Sequence, residues 1–163
     1  MTRRRSRRGF CCLPLLAVCV GLGACSRNPA SPSAPDPLRL TGSISQAVLA
    51  PGQTASLTFR LENRGSEVVT LRFPTGCQIL PFVRERQNQR IVYPSGGSWG
   101  CTQALTQLIL PPGAVAMRTV SIIASDAAGG AASGLPPGDY DAYATVTASD
   151  FETRSESVLF SVR

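Results

Sequence analysis

The chain contains no histidine and no lysine; all sixteen of its basic residues are arginine. Without histidine, no Ser-His-Asp or Cys-His catalytic machine can be built from within the chain. Every histidine-containing zinc or haem site is excluded as well. Without lysine, there is no Schiff-base nucleophile and no P-loop lysine. Aromatic residues are also scarce, at 6%, with one Trp. Proline and glycine are plentiful instead, 13 and 15 residues, which suits short strands joined by tight turns. A length of 163 residues is enough for one domain and short for two. These absences point away from an enzyme, and no cofactor is expected.

The net charge of +6 is unevenly placed. Five arginines, Arg3, Arg4, Arg5, Arg7 and Arg8, stand in the first eight positions, and an apolar run fills residues 9–24. A basic segment, an apolar run and then small residues make the pattern of a secretory signal. The run is shorter than the ~20 residues that a spanning helix needs; the alternative is a retained N-terminal anchor helix. Leu22-Gly23-Ala24-Cys25 resembles the lipobox of bacterial lipoproteins. That resemblance implies cleavage before Cys25 and acylation of Cys25, so that the bilayer itself is a partner. Acyl chains at ~0.8 kcal/mol per buried CH₂ hold a soluble domain on a membrane durably. The expected localisation is an exported, lipid-anchored protein, on the outer membrane if the cell has two. Removal of residues 1–24 leaves eleven arginines against ten acids. A nearly neutral mature chain gives no support to a nucleic-acid partner.

Cysteine usage agrees with export. Cys11, Cys12 and Cys19 fall in the signal and Cys25 at the acylation site, leaving Cys77 and Cys101. Two cysteines in an exported chain favour one disulfide. The alternative, a metal pair, lacks partner ligands.

Residues 26–37, SRNPASPSAPDP, have the composition of a tether. In polyproline geometry they reach roughly 37 Å. The folded domain is expected over residues 38–163. Residues 54–63 alternate, with Ala55, Leu57, Phe59 and Leu61 on one face. Residues 67–73 put Val69, Leu71 and Phe73 on one face, so the two runs are expected to form a hairpin about the turn at 63–66. Further strands are expected at 38–49, 79–86, 90–93, 105–110, 115–123, 139–148 and 154–162, with Pro/Gly or polar breaks between them. No stretch shows a 3.6-residue period, although a short helical turn at 102–106 is compatible with the sequence. Seven to nine short antiparallel strands predict an all-β, immunoglobulin-like β-sandwich. Residues 126–134, rich in Gly and Ala, are expected to form a surface loop.

Few motifs carry chemistry. Residues 96–100, GGSWG, match G-x-S-x-G, but a nucleophile elbow needs a following helix and a histidine. Asp139 and Asp141, and likewise Asp150 and Glu152, share a strand face; a solvated sheet face explains them more simply than a metal or glycosidase site. Tyr140 is placed like the tyrosine that opens a late strand in immunoglobulin-like folds and bonds back to the backbone. Trp99 stands in a Gly/Ser segment before Cys101. It either contacts a partner or closes the end of the core.

Three segments occur in a distinctive order: LTFRLENRGSEVVTLRFPTG at 57–76, CTQALTQLILPPG at 101–113 and LPPGDYDAY at 135–143. Together they resemble the BsuPI-type proteinase inhibitor domain over residues 57–146. Gln78-Ile79-Leu80-Pro81 stand where that family often has a Tyr-Asp pair, and Cys101 stands where it often has an aromatic. The resemblance implies a small β-sandwich and a protein partner, a proteinase or another envelope protein. The competing class is a non-catalytic envelope assembly domain. The expected recognition element is the segment 93–106, with Tyr93, Ser95, Ser98, Trp99, Thr102 and Gln103 as contact residues and Trp99 as the anchor.

Overall fold

The computed structural model describes residues 36–125 and 134–163. The signal at 1–24, Cys25, the tether to residue 35 and residues 126–133 of the Gly/Ala loop lie outside the described residues. The strands are β1 (Leu38–Ile44), β2 (Val48–Leu49), β3 (Thr54–Asn63), β4 (Val69–Phe73), β5 (Leu80–Glu85) and β6 (Ile91–Tyr93). After a 3₁₀ turn at Ser95–Gly97 come β7 (Thr106–Leu110), β8 (Val115–Ile123), β9 (Gly138–Thr147), β10 (Glu152–Arg154) and β11 (Val158–Val162). Among the described residues there is no α-helix.

One sheet has the order β1-β3-β8. A second has the order β2-β11-β9-β5-β6, with β10 also on β9, and β4 and β7 form a two-stranded ribbon. The short β2 joins β11 in parallel, while the other strand pairs are antiparallel. β1 lies against β9 and β11, β3 against β9, and β8 against β5, so the two larger sheets stack as a sandwich.

β3 shows how the sequence builds this core. Its alternating Ala55, Leu57, Phe59 and Leu61 are all buried, and Val83, Val146 and Val162 meet them from the second sheet's strands. Full burial of each large apolar side chain contributes ~1.5–3 kcal/mol. Tyr140 is buried and donates its hydroxyl to Pro136 O at 2.6 Å, which is the bond back to the backbone expected of it.

Four local expectations change. The run 38–49 is interrupted at 45–47, giving β1 and β2. The run 154–162 is split at Ser155: its amide still donates to Ala144 O at 2.9 Å, but the Ala144 amide donates to the Ser155 Oγ at 3.0 Å, so the ladder stops there. The 102–106 stretch holds no helical turn; the helical turn lies earlier, at Ser95–Gly97. Finally, β3 and β4 are not a hairpin, for β3 pairs with β1 and β8 while β4 pairs with β7.

The cause of this last difference is Asn63. Its side chain is fully buried and donates to Glu67 O at 2.7 Å and to Leu110 O at 2.8 Å. Its Oδ1 accepts the Gly65 amide at 2.9 Å. The end of β3 is claimed by the turn after β7: Asn63 N–H donates to Ala114 O and Gly113 N–H donates to Asn63 O. A buried polar side chain with each bond made thus turns the chain out of one sheet and into the β4–β7 ribbon.

Candidate functional site

The segment from Tyr93 to Thr106 leaves the strand pattern and is fastened at several points. The Tyr93–Pro94 peptide is cis. Gly97 N–H donates to Pro94 O at 2.9 Å, closing the turn, with Gly96 and Gly97 at φ of 77° and 75°, a region that glycine enters without cost. Trp99 then folds inward. Its Nε1–H donates to Pro81 O at 3.0 Å, and its ring packs edge-on to Tyr93 at 5.5 Å between centroids. The Arg118 guanidinium of β8 sits 5.8 Å from the same ring, within cation–π range.

Beyond Trp99 the chain is held by the turn that follows β4. Cys101 is disulfide-bonded to Cys77, with Cα atoms 5.5 Å apart. The Gly76 amide donates to Thr102 O at 3.0 Å, and the Thr106 hydroxyl donates to Thr75 O at 2.8 Å. Gly76 allows this close approach: a Cβ there would meet the Thr102 hydroxyl and force that side chain to turn away. Residues 75–77 therefore clamp the chain on both sides of Gln103, Ala104 and Leu105.

The expected contact residues are distributed unevenly over this segment. Tyr93 and Trp99 are half-buried and in contact with each other and with the core. Ser95, Ser98, Thr102 and Gln103 are exposed around them. Trp99 has an inner side against the core and an outer side that lines a groove of about 210 Å³ with Cys77, Met117 and Arg118. Reading the sequence missed two neighbours. Arg118 comes from β8, and only the sheet order brings it to Trp99. Leu105 is 87% exposed, although its spacing from Leu108 and Leu110 carried a signal. In this run the odd-numbered positions, Leu105, Gln107 and Ile109, face out while Leu108 and Leu110 face in.

The carboxylates have partners of their own. Asp141 is buried rather than solvated, accepting Arg84 Nε at 3.0 Å and Nη2 at 2.7 Å. The cause is β9's central place in its sheet, where long side chains cover the outer face: Tyr143 stacks on Phe82 at 5.3 Å and lies under Arg154 at 3.5 Å. The hydrogen bond to Asp141 raises the pKa of Arg84. Asp139 is exposed and pairs with Arg163; Asp150 and Glu152 are exposed. Glu85 is held below the usual carboxylate range, chiefly by its hydrogen bond from Arg90. Residues 96–100 form a turn and loop, not a strand–helix elbow.

A family model described as BsuPI, intracellular proteinase inhibitor, matches residues 43–151, about two thirds of the chain. No curated protein matches it. Among solved structures, a β-glucosidase from Erythrobacter marinus is similar over 77% of this chain and 15% of its own, at 11% identity and a TM-score of 0.43. The alkylpurine DNA glycosylase of Pseudomonas fluorescens bound to abasic-site DNA is similar over 78% of this chain and 30% of its own, at 15% identity and 0.44. A CARDB domain from Pyrococcus furiosus is similar over 77% of this chain and 89% of its own, at 16% identity and 0.40. The chain thus spans less than a third of the length of the first two. Likenesses of this degree carry nothing about activity.

Proposed function

This chain belongs to the BsuPI family of intracellular proteinase inhibitors; from that membership, together with the lipobox-like residues 22–25 behind an arginine-rich segment, we propose an envelope lipoprotein whose β-sandwich captures a proteinase. Cys25 is the acylated anchor, and the Pro-rich tether carries the domain clear of the headgroups. The segment 93–106 is the recognition element, with Ser95, Ser98, Thr102 and Gln103 on its outer side and Trp99, backed by Tyr93, as its post. One observation carries this reading: the turn 75–77 holds that segment by a disulfide and two hydrogen bonds. A loop fixed before it meets its partner loses less entropy on binding.

Anchoring is tested with Cys25→Ser. It should leave a larger, unlipidated precursor in place of the processed chain; normal maturation and membrane partitioning would refute the anchor. Capture is tested by immobilising the full chain, passing envelope extract over it and assaying retained proteinase activity before and after elution. We expect a proteinase that is silent on the column and active when released. Retention of proteins without proteinase activity would instead indicate an assembly domain.

A further inference from the structure

We propose that Leu105 is the residue this domain inserts into its target, and that the target is an endoproteinase with an apolar primary specificity pocket. The inference rests on the reading of the chain as a proteinase inhibitor and adds the class of enzyme. Leu105 is the most exposed large apolar side chain among the described residues, at 87%; the next, Met117, is at 65% and lies within β8. A lone exposed leucine is ordinary on a protein surface. What sets Leu105 apart is its backbone.

Gln103, Ala104 and Leu105 make no backbone hydrogen bond among the described residues. Their amides and carbonyls are open to an enzyme cleft, where a bound chain supplies main-chain hydrogen bonds for affinity and one side chain for specificity. Their flanks are not open at all. On one side stand the Cys77–Cys101 disulfide and the Gly76-to-Thr102 bond. On the other, Thr106 enters β7 opposite Phe73 of β4 and its hydroxyl bonds Thr75 O. An exposed apolar side chain on a short, unpaired, doubly clamped bend offers one specificity residue with little left to order. It matches a pocket that accepts leucine and mismatches one lined by a carboxylate.

The clamp also bears on the fate of the bond itself. Hydrolysis of the Leu105–Thr106 peptide would add one water, giving a Leu105 carboxylate and a Thr106 amine. Both ends would stay on the turn 75–77, through the disulfide and through β7, so the cut chain would not fall away.

The test uses the full chain against chymotrypsin, whose primary pocket is apolar, and trypsin, whose pocket holds an aspartate. The wild-type chain should inhibit chymotrypsin and spare trypsin. Leu105→Asp should weaken chymotrypsin inhibition by roughly 30-fold or more, the loss of a central hot-spot residue. Leu105→Arg should transfer inhibition to trypsin. Both variants should keep the wild-type unfolding midpoint, since the side chain packs on nothing. Chymotrypsin inhibition that both substitutions leave unchanged would overturn the role of Leu105 and leave the proposed function standing. Inhibition of neither enzyme by the wild-type chain would overturn the apolar-pocket assignment, while the proposed function stands or falls on the extract capture. Rapid cleavage after Leu105 without inhibition would support Leu105 as the pocket residue and overturn the inhibitor reading.

Discussion

Two aromatic residues fix the ends of the sandwich by pairing an apolar body with one satisfied polar atom. Tyr140 stacks on Phe160 at 5.3 Å and gives its hydroxyl to Pro136 O. Burial raises its pKa, with Glu85 adding to the effect. A raised pKa in the folded state means stability that is complete below the unfolded value, about 10, and is lost as pH rises through the folded value. Tyr140→Phe removes the bond and the titration together. We expect it to cost ~1–2 kcal/mol at neutral pH, with a deficit that shrinks above pH ~10. Chemical denaturation of both proteins at pH 7 and pH 10.5 measures this, and a deficit independent of pH would contradict it. Trp99 works in the same way with its indole N–H. Trp99→Phe keeps most of the packing and leaves Pro81 O without that donor, for a loss of ~1 kcal/mol. Trp99→Ala also opens the space beside Tyr93 and should lose ~3 kcal/mol. Equal unfolding midpoints for the two variants would show that the ring packs on nothing.

The strands that were legible in the sequence are those whose alternation matches a single buried face. The residues of β3 were readable to the last position, because Ala55, Leu57, Phe59 and Leu61 alternate without a break. β8 was readable too, bounded by the Pro-Pro-Gly turn before it. Pairing was not legible. Nothing local marks Asn63 as a buried residue that bonds Leu110 O, a partner 47 positions away, and that bond separates β3 from β4. Ser155 escaped for the same reason, since its hydroxyl replaces a ladder bond on a distant strand. In the candidate site, the Cys77–Cys101 bridge followed from cysteine counting, whereas Arg118 reaches Trp99 only through the sheet order and Leu105 was masked by its place at a strand's start. The bridge closes a loop with a sequence separation of 24, worth ~3 kcal/mol in the chain-entropy account. Cys77→Ala should therefore cost ~2–4 kcal/mol. It should also raise the exchange rates of the amides of residues 99–105 more than those of β3. A uniform rise across the domain would mean that the bridge supports the whole fold and not this segment.

At the scale of the molecule, a β-sandwich presents one clamped segment, and the proposed function adds an anchor at Cys25 and a Pro-rich spacer before it. The sandwich supplies rigidity through two stacked sheets with a continuous apolar core. From residue 26 onward the chain carries eleven arginines against ten acids, a balance that leaves recognition to shape and backbone bonding rather than to long-range steering. Tyr93 and Trp99 pack on the core while Leu105 stands exposed, so substitutions at Leu105 separate recognition from stability. The most direct test is amide hydrogen exchange of the full chain, free and mixed with an excess of chymotrypsin. We expect slowed exchange confined to residues 93–106 and the turn 75–78, with β1 and β9 unchanged. Unchanged exchange everywhere, or slowing confined to a sheet edge such as β1, would contradict the assignment of 93–106 as the recognition element.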